Sequence, residues 1–393
     1  MSNLLLPSFP TDLRHLLTEL RHDLHRHPEL ALQEARTVER LEFELAKLDL
    51  DSLERAAGTG LVARIPGRDR NAKPVAIRGD IDALPILEET GAAFASVNDG
   101  VMHACGHDLH AAWTVGAANL LASDPPPGDV VVLLQPAEET AEGALAMIQA
   151  GAIDGVAVIF GAHIDIRFDV GTVVAQSGDV ASSADEFEIV LEGRGSHAAR
   201  PHEGNDPVVA AAALITSLQT IVSRKLAPGI PAVVTVGTVE AGTATNVIPQ
   251  SARLTGTMRA ADQGTRERLH TELRRIATGV ADTFSLSAQT NIRIGTPPLV
   301  NEPALVDLAR TVTRSLLGEP ALASLPVPNL GGEDFAFYLE KIPGCFIRIG
   351  GRGEDQEAVP AHSSKFLPDD GAIVVGAAVL AELARVASAE FNR

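Results

Sequence analysis

Cysteine is nearly absent from this sequence: only Cys105 and Cys345 occur among 393 residues. Two cysteines cannot build a disulfide framework, which points to a reducing compartment. Aromatic residues amount to 4%, with a single Trp and a single Tyr, so the core must be mainly aliphatic and Ala-rich. Basic residues are outnumbered, 32 Lys plus Arg against 51 Asp plus Glu, for a formal net charge of −19. A surface that acidic repels phosphate backbones and anionic lipid, which argues against nucleic acid or a membrane as partner. Long apolar runs are missing as well. The longest, 371–384, carries Glu382 and is too short to span a bilayer, so it reads as a buried C-terminal helix. The opening Met1-Ser-Asn-Leu-Leu-Leu-Pro7 lacks the basic start and apolar length of a signal peptide. A cytoplasmic protein is the expectation.

What is present suits a large folded chain. Hydrophobic residues make up 45% and charged residues 21%, enough for a sizeable core in one large domain or two, and unlike a disordered chain. Leu13, Leu16, Leu17, Leu20 and Leu24 recur at helical spacing and predict an amphipathic helix over 11–25. A second is expected near 33–48. Strand-length apolar runs follow at 61–65, 75–78, 130–134 and 156–160, with helical stretches near 107–121 and 141–150. Strands alternating with helices suggest a mixed, mostly parallel sheet sandwiched by helices. The middle of the chain differs, because Phe187, Ile189 and Leu191 alternate with polar residues as half-buried antiparallel strands do. The order β-α-β-β-α-β over 183–294 is the split pattern of a ferredoxin-like α+β domain. The expected organisation is an α/β catalytic domain, 1–182 plus 295–393, interrupted by an inserted domain at 183–294.

Polar clusters follow the strands of the first part. They are Gly79-Asp80-Ile81-Asp82, the segment from Val101 to Asp108, Gln135-Pro-Ala-Glu-Glu139, and Gly161-Ala162-His163. Singly each has a plain reading: a turn, a buried small cysteine, a solvated acidic pair, a core histidine. Open α/β sheets, however, gather active sites beyond the carboxyl ends of their strands. Several His, a Cys and a Glu on one rim match the ligand chemistry of borderline divalent metals. Adjacent Glu138 and Glu139 suit one ligand and one proton carrier. The co-location reads as a metallohydrolase. Nucleophilic catalysis by Cys105, with His103 or His107 as base, is the rival within enzymes, but it leaves Glu139, His163 and His362 unexplained.

The motifs are specific in combination. In chain order they are Arg78-Gly-Asp-Ile-Asp-Ala-Leu-Pro85, Met102-His-Ala-Cys-Gly-His-Asp108, Gln135-Pro-Ala-Glu-Glu139, Gly193-Arg-Gly-Ser-His-Ala-Ala199, Thr245-Asn-Val-Ile-Pro249 and Gly331-Gly-Glu-Asp-Phe335. Together they resemble the metal-dependent amidohydrolase and peptidase family that contains hippurate hydrolase, bacterial N-acyl-amino-acid amidohydrolases and the auxin-conjugate hydrolases of plants. The resemblance runs from about Leu13 to the C-terminus.

That resemblance implies a zinc-exopeptidase-like catalytic domain, with the insert as lid and dimerisation domain of a homodimer. It implies hydrolysis of the amide bond of N-acyl amino acids by two divalent metal ions, Zn²⁺ or Mn²⁺, with Co²⁺ or Ni²⁺ as alternatives. Cys105, His107, Glu139, His163 and His362 match the metal ligands, with the Cys105 thiolate able to bridge both ions. Glu138 matches the general base, and Asp82 an acidic residue that orients a metal-binding histidine. His197 resembles a histidine that polarises the scissile carbonyl, in relatives sometimes supplied by the neighbouring subunit. Asn246, Arg259, Gly331 and Gly332 are candidates for holding the substrate's carboxylate or carbonyl. Asp165 and Leu109 depart from the family pattern without removing a ligand. The alternatives are a metallo-dipeptidase or carboxypeptidase on the same scaffold, or a non-catalytic amino-acid or metal-binding protein.

Overall fold

In the computed structural model the described residues are 6, 8–325 and 329–390. The opening segment read for a leader therefore lies, except for Leu6, outside the described residues. The chain divides into two compact units: Met1–Gly178 with Val300–Pro326 and Asp334–Arg393, and Asp179–Leu299 with Val327–Glu333.

The first unit begins with helices α1 (Thr11–Arg26) and α2 (Ala35–Leu45). Each buries a leucine stripe, Leu17, Leu20 and Leu24 on α1 and Val38, Leu41 and Leu45 on α2, as an amphipathic helix must. Strands β1 (Ser52–Ala56), β2 (Gly60–Ile65) and β3 (Val75–Asp80) lead to helix α3 (His107–Ser123), strand β4 (Val130–Gln135), helix α4 (Gly143–Gln149), and strands β5 (Val158–Asp169) and β6 (Val173–Val174). After the second unit come helix α5 (Pro303–Leu317), strands β7 (Leu322–Ala323) and β8 (Gly344–Arg352), and helix α6 (Gly371–Glu390). The sheet order is β1-β2-β4-β3-β5-β8-β6-β7. Its centre, β4-β3-β5-β8, is parallel. Strands β3 and β4 are buried along their whole length, which is why 75–77 and 130–134 read as unbroken apolar runs rather than alternating ones.

His163 was expected just past the end of a strand at 156–160, yet it lies within β5. The strand runs on because β8 pairs with it as far as Asp169. Its other neighbour, β3, pairs only over Val158–Gly161. His163 thus stands beyond the part of β5 that pairs with β3, level with Asp80 at the end of that strand, and reaches the rim.

Helix α6 is longer than the apolar stretch that announces it, and its 20 residues are enough to cross a bilayer by length. Its apolar residues are buried in the core of this unit instead. It lies against α3, and the contact is close: a Cβ on Gly376 would stand 2.5 Å from Trp113 Cδ2. Gly376→Ala is therefore expected to cost about 1–3 kcal/mol by overpacking, read as a lower urea midpoint.

The second unit is an antiparallel sheet in the order 232–241, 251–260, 183–192, 287–296. With helices Pro207–Thr220 and Gln263–Thr283, its chain order is β-α-β-β-α-β. Both helices start where an aspartate accepts from the first turn, Asp206 from Val208 N at 2.8 Å and Asp262 from Thr265 N at 2.8 Å; such N-caps satisfy amides that have no partner within the helix. Phe187, Ile189 and Leu191 pack in one cluster with Leu214, Leu218, Leu269 and Leu273.

Candidate metal centre

Five segments of the first unit bring their side chains to the rim of the sheet. Gly106 takes φ of 88°, a left-handed conformation that glycine adopts without penalty, and this sharp turn sets Cys105 and His107 at the start of α3. Asp80 closes β3 and Asp82 follows it. Gln135 closes β4 and leads into Glu138 and Glu139. His163 comes from β5, and His362 from the loop before α6, where its backbone N–H donates to Ala104 O at 2.8 Å.

The donor atoms fall into overlapping sets. Cys105, His107 and His163 offer ligand atoms within 4.8 Å of one another, and so do Cys105, Glu139 and His362. Cys105 belongs to both. His107, Glu138 and Glu139 form a third set of the same size. Cys105 Sγ lies 3.3 Å from His163 Nε2, and His362 Nε2 lies 3.3 Å from Glu139 Oε1.

Two of these histidines, His107 and His163, are held by the other ring nitrogen. His107 Nδ1 donates to the Asp82 carbonyl at 2.9 Å and reaches Asp82 Oδ1 at 3.1 Å. His163 Nδ1 donates to Ile164 O at 2.7 Å. Both Nε2 atoms are thereby turned to the rim, the arrangement that orients metal-binding histidines.

Charge supports the same reading. His107 Nε2 and Glu139 Oε1 are buried without a hydrogen-bond partner. Around His107 Nε2, Asp80, Glu138 and Glu139 each place an oxygen 3.9 Å away. Burial opposes a charge on this imidazole, but Asp80 and the Asp82 bond hold it well above its ordinary value. Three carboxylates thus demand a positive charge at this point, and a divalent cation meets that demand with the Cys, His and Glu donors present. The residues fit a metal. Burial, then the Glu139 carboxylate, push the Cys105 thiol well above its usual range, so without a cation it is not an activated nucleophile. His103 is buried with neither ring nitrogen hydrogen-bonded, and burial holds it at about 4.

Beneath the donors lies a buried network that sequence reading did not find. Arg78, on β3, donates to Asp80 Oδ2 at 2.6 Å, Gln135 Oε1 at 2.8 Å and Asp334 Oδ1 at 2.8 Å. Asp334 also accepts from Gln135 Nε2 and the Ala144 amide, both within 3.0 Å. Asp80 Oδ1 accepts from His110 Nδ1 at 2.5 Å, and His110 Nε2 accepts from the Ile164 amide at 2.9 Å. The signal was a charged residue within an otherwise apolar central strand, together with Asp334 in the last motif.

A second network braces the start of α3. Asp108 Oδ2 accepts from Arg21 Nε at 3.0 Å and His25 Nδ1 at 2.9 Å, while His25 Nε2 reaches Glu88 at 3.2 Å. Burial opposes the charge on His25, but Asp108 and Glu88 raise it to about 9. Its folded value lies above the unfolded one, so its stabilisation is complete below about pH 6.5 and disappears as pH rises through about 9. Urea midpoints are expected to fall across that window, and His25→Phe is expected to flatten the fall. An equally steep fall in the variant would remove His25 from the account.

In the second unit, His197 pairs with Val247 across a two-stranded ribbon, and the Asn246 carbonyl accepts from Ala198 N at 3.0 Å. His197 and Asn246 are therefore neighbours, both exposed. The Ala199 amide donates to His197 Nδ1 at 3.1 Å, which leaves Nε2 carrying the proton. Arg259 lies near Gly332, where a Cβ would stand 3.4 Å from Arg259 Nη1. Gly331 O accepts from Ser182 N at 3.1 Å.

The description of peptidase family M20/M25/M40 matches residues 76–386. The chain belongs to that family. It is 40% identical to N-acetylcysteine deacetylase of Bacillus subtilis (strain 168), over 94% of this chain and 96% of the relative. It is 36% identical to IAA-amino acid hydrolase ILR1-like 2 of Arabidopsis thaliana, over 94% and 84%. Among solved structures, the Bacillus subtilis YXEP protein, a dinuclear metal-binding peptidase of the M20 family, superposes with a TM-score of 0.85 at 35% identity, covering 96% of this chain and 99% of that one.

Proposed function

We propose that this protein is a metal-dependent amidohydrolase that cleaves N-acyl amino acids into a carboxylic acid and a free amino acid. The observation that carries the reading is the pair of donor sets meeting at Cys105, with Glu138 beside them and outside the set of Cys105, Glu139 and His362. Relatives named for deacetylation and for hydrolysis of an acylated amino acid support the substrate class.

Cys105, His107, Glu139, His163 and His362 would hold two divalent ions, Zn²⁺ or Mn²⁺, with Co²⁺ or Ni²⁺ as alternatives. When bound, such ions supply Lewis acidity that polarises a carbonyl and lowers the pKa of water. Glu138 takes a proton from the attacking water and returns it to the leaving amine nitrogen. Its carboxylate is steadied by the Asp334 amide at 3.4 Å. Asp82 keeps His107 in the tautomer a ligand needs. His197 donates from Nε2 to the oxygen that becomes negative in the tetrahedral intermediate, the role of an oxyanion donor. Asn246, Arg259, Gly331 and Gly332 hold the substrate's carboxylate. We further propose a homodimer formed through the inserted unit, which also serves as lid, and a cytoplasmic location suited to two free cysteines.

The decisive assay is amino-acid release from N-acetyl, N-benzoyl and N-indoleacetyl amino acids and from unblocked dipeptides, after chelation and again after adding Mn²⁺ or Zn²⁺. Metal-restored release from blocked substrates is expected. Preference for unblocked dipeptides would move the protein to the peptidase reading, and turnover that survives chelation would overturn the metal assignment. Glu138→Gln is expected to keep its metal while kcat falls by about 10²–10⁴; wild-type turnover would end its assignment as base. Asp82→Ala should weaken metal affinity roughly 10- to 100-fold, measured by competition with a chromogenic chelator.

A further inference from the structure

We propose that Glu34 is a positioning residue that clamps a strained turn and thereby aims the Glu138 carboxylate. The inference rests on the reading of Glu138 as the base. Ala137, the residue before Glu138, has φ of 53°, in the left-handed region that a residue with a Cβ rarely occupies. Such a conformation persists only where the surroundings impose it.

The surroundings here are specific. The Ala137 amide donates to Glu34 Oε1 at 3.0 Å, and Thr59 Oγ1 donates to Glu34 Oε2 at 2.5 Å. The Ala137 carbonyl accepts from the amides of Glu142 at 3.3 Å and Gly143 at 3.1 Å. Two positions on, the Glu139 amide donates to Asp82 Oδ2 at 3.0 Å. The turn is closely packed on its other side, where a Cβ on Gly143 would fall 1.6 Å from Pro136 O.

Glu34 is itself fully buried and belongs to none of the donor sets. It occupies the N-cap position of α2, yet its side chain makes no capping bond there. Its carboxylate is spent on Ala137 and Thr59 instead. The φ of Ala137 sets the course of the chain into Glu138, so freeing the Ala137 amide lets the turn relax and swings the base. The helix cap gains nothing from this arrangement; the aim of Glu138 does.

The test compares Glu34→Ala, Glu34→Gln, Ala137→Gly and the double variant E34A/A137G, each loaded with metal. Glu34→Ala is expected to lower kcat roughly 10- to 100-fold, the range a small misplacement of a catalytic group produces. KM should stay within about threefold, since substrate binding is untouched, and metal content should match wild type. Glu34→Gln keeps an acceptor for the Ala137 amide and should retain most activity. The double variant should recover kcat, because glycine holds the positive φ without a clamp.

Wild-type kcat in Glu34→Ala overturns the proposal, as does a kcat loss that A137G leaves unrepaired. If Glu34→Ala does not fold, Thr59→Val replaces it: a kcat loss repaired by A137G supports the clamp, and unchanged kcat overturns it. Glu138→Gln run alongside separates the two levels. Turnover by that variant would end the reading of Glu138 as base, whereas an inactive Glu138→Gln with a fully active Glu34→Ala would end only the clamp.

Discussion

Arg78 carries a full positive charge with no exposure to solvent, and the rim is organised around it. A buried charge is tolerated only when it is paired and hydrogen-bonded, and removing a partner leaves the remainder of the network uncompensated. Its partners come from three places: Asp80 at the end of β3, Gln135 at the end of β4, and Asp334 after the second unit has been traversed. Each of these segments also touches the donors. Asp80 continues through His110 to the Ile164 peptide, whose carbonyl in turn fixes His163. Asp334 presents its amide to Glu138. One guanidinium thus ties the geometry of a histidine on one strand to that of a carboxylate on another.

The rim is rich in negative charge. Asp80, Glu138 and Glu139 surround His107 Nε2 at equal distances, and of the three Asp80 is also paired with Arg78. Coulomb repulsion between carboxylates in a poorly solvated site is strong. The protonated imidazole answers it in part. A divalent ion held among these carboxylates would take over the role of the His107 proton, so its uptake would release that proton.

Much of this was legible in the sequence, for different reasons in different places. The leucine stripe of α1 is periodic because one face is buried, and the apolar runs of β3 and β4 are unbroken because both faces are buried. The split order of the second unit was readable because Phe187, Ile189 and Leu191 alternate with polar residues, as half-buried strands do. The side chains of the donor sets were named in advance because strand ends gather them and the motifs are specific. The supporting networks were not found. Arg21, His25, Arg78, His110 and Asp334 pair across long stretches of sequence, and pairings of that kind follow from packing rather than from spacing. The extent of β5 was missed for the same reason, since only its partnership with β8 carries it past Gly161.

The bracing of α3 has a consequence for where this chain can be cut. The family description begins at residue 76, which suggests a fragment starting there. Such a fragment would lose Arg21 and His25, and with them the two side chains that donate to the fully buried Asp108, one residue from His107. Leaving a buried carboxylate uncompensated costs about 3–5 kcal/mol, comparable with the whole stability of many domains. The first helices are therefore no removable preface. A piece of this protein able to keep its rim intact must include Arg21 and His25 of α1.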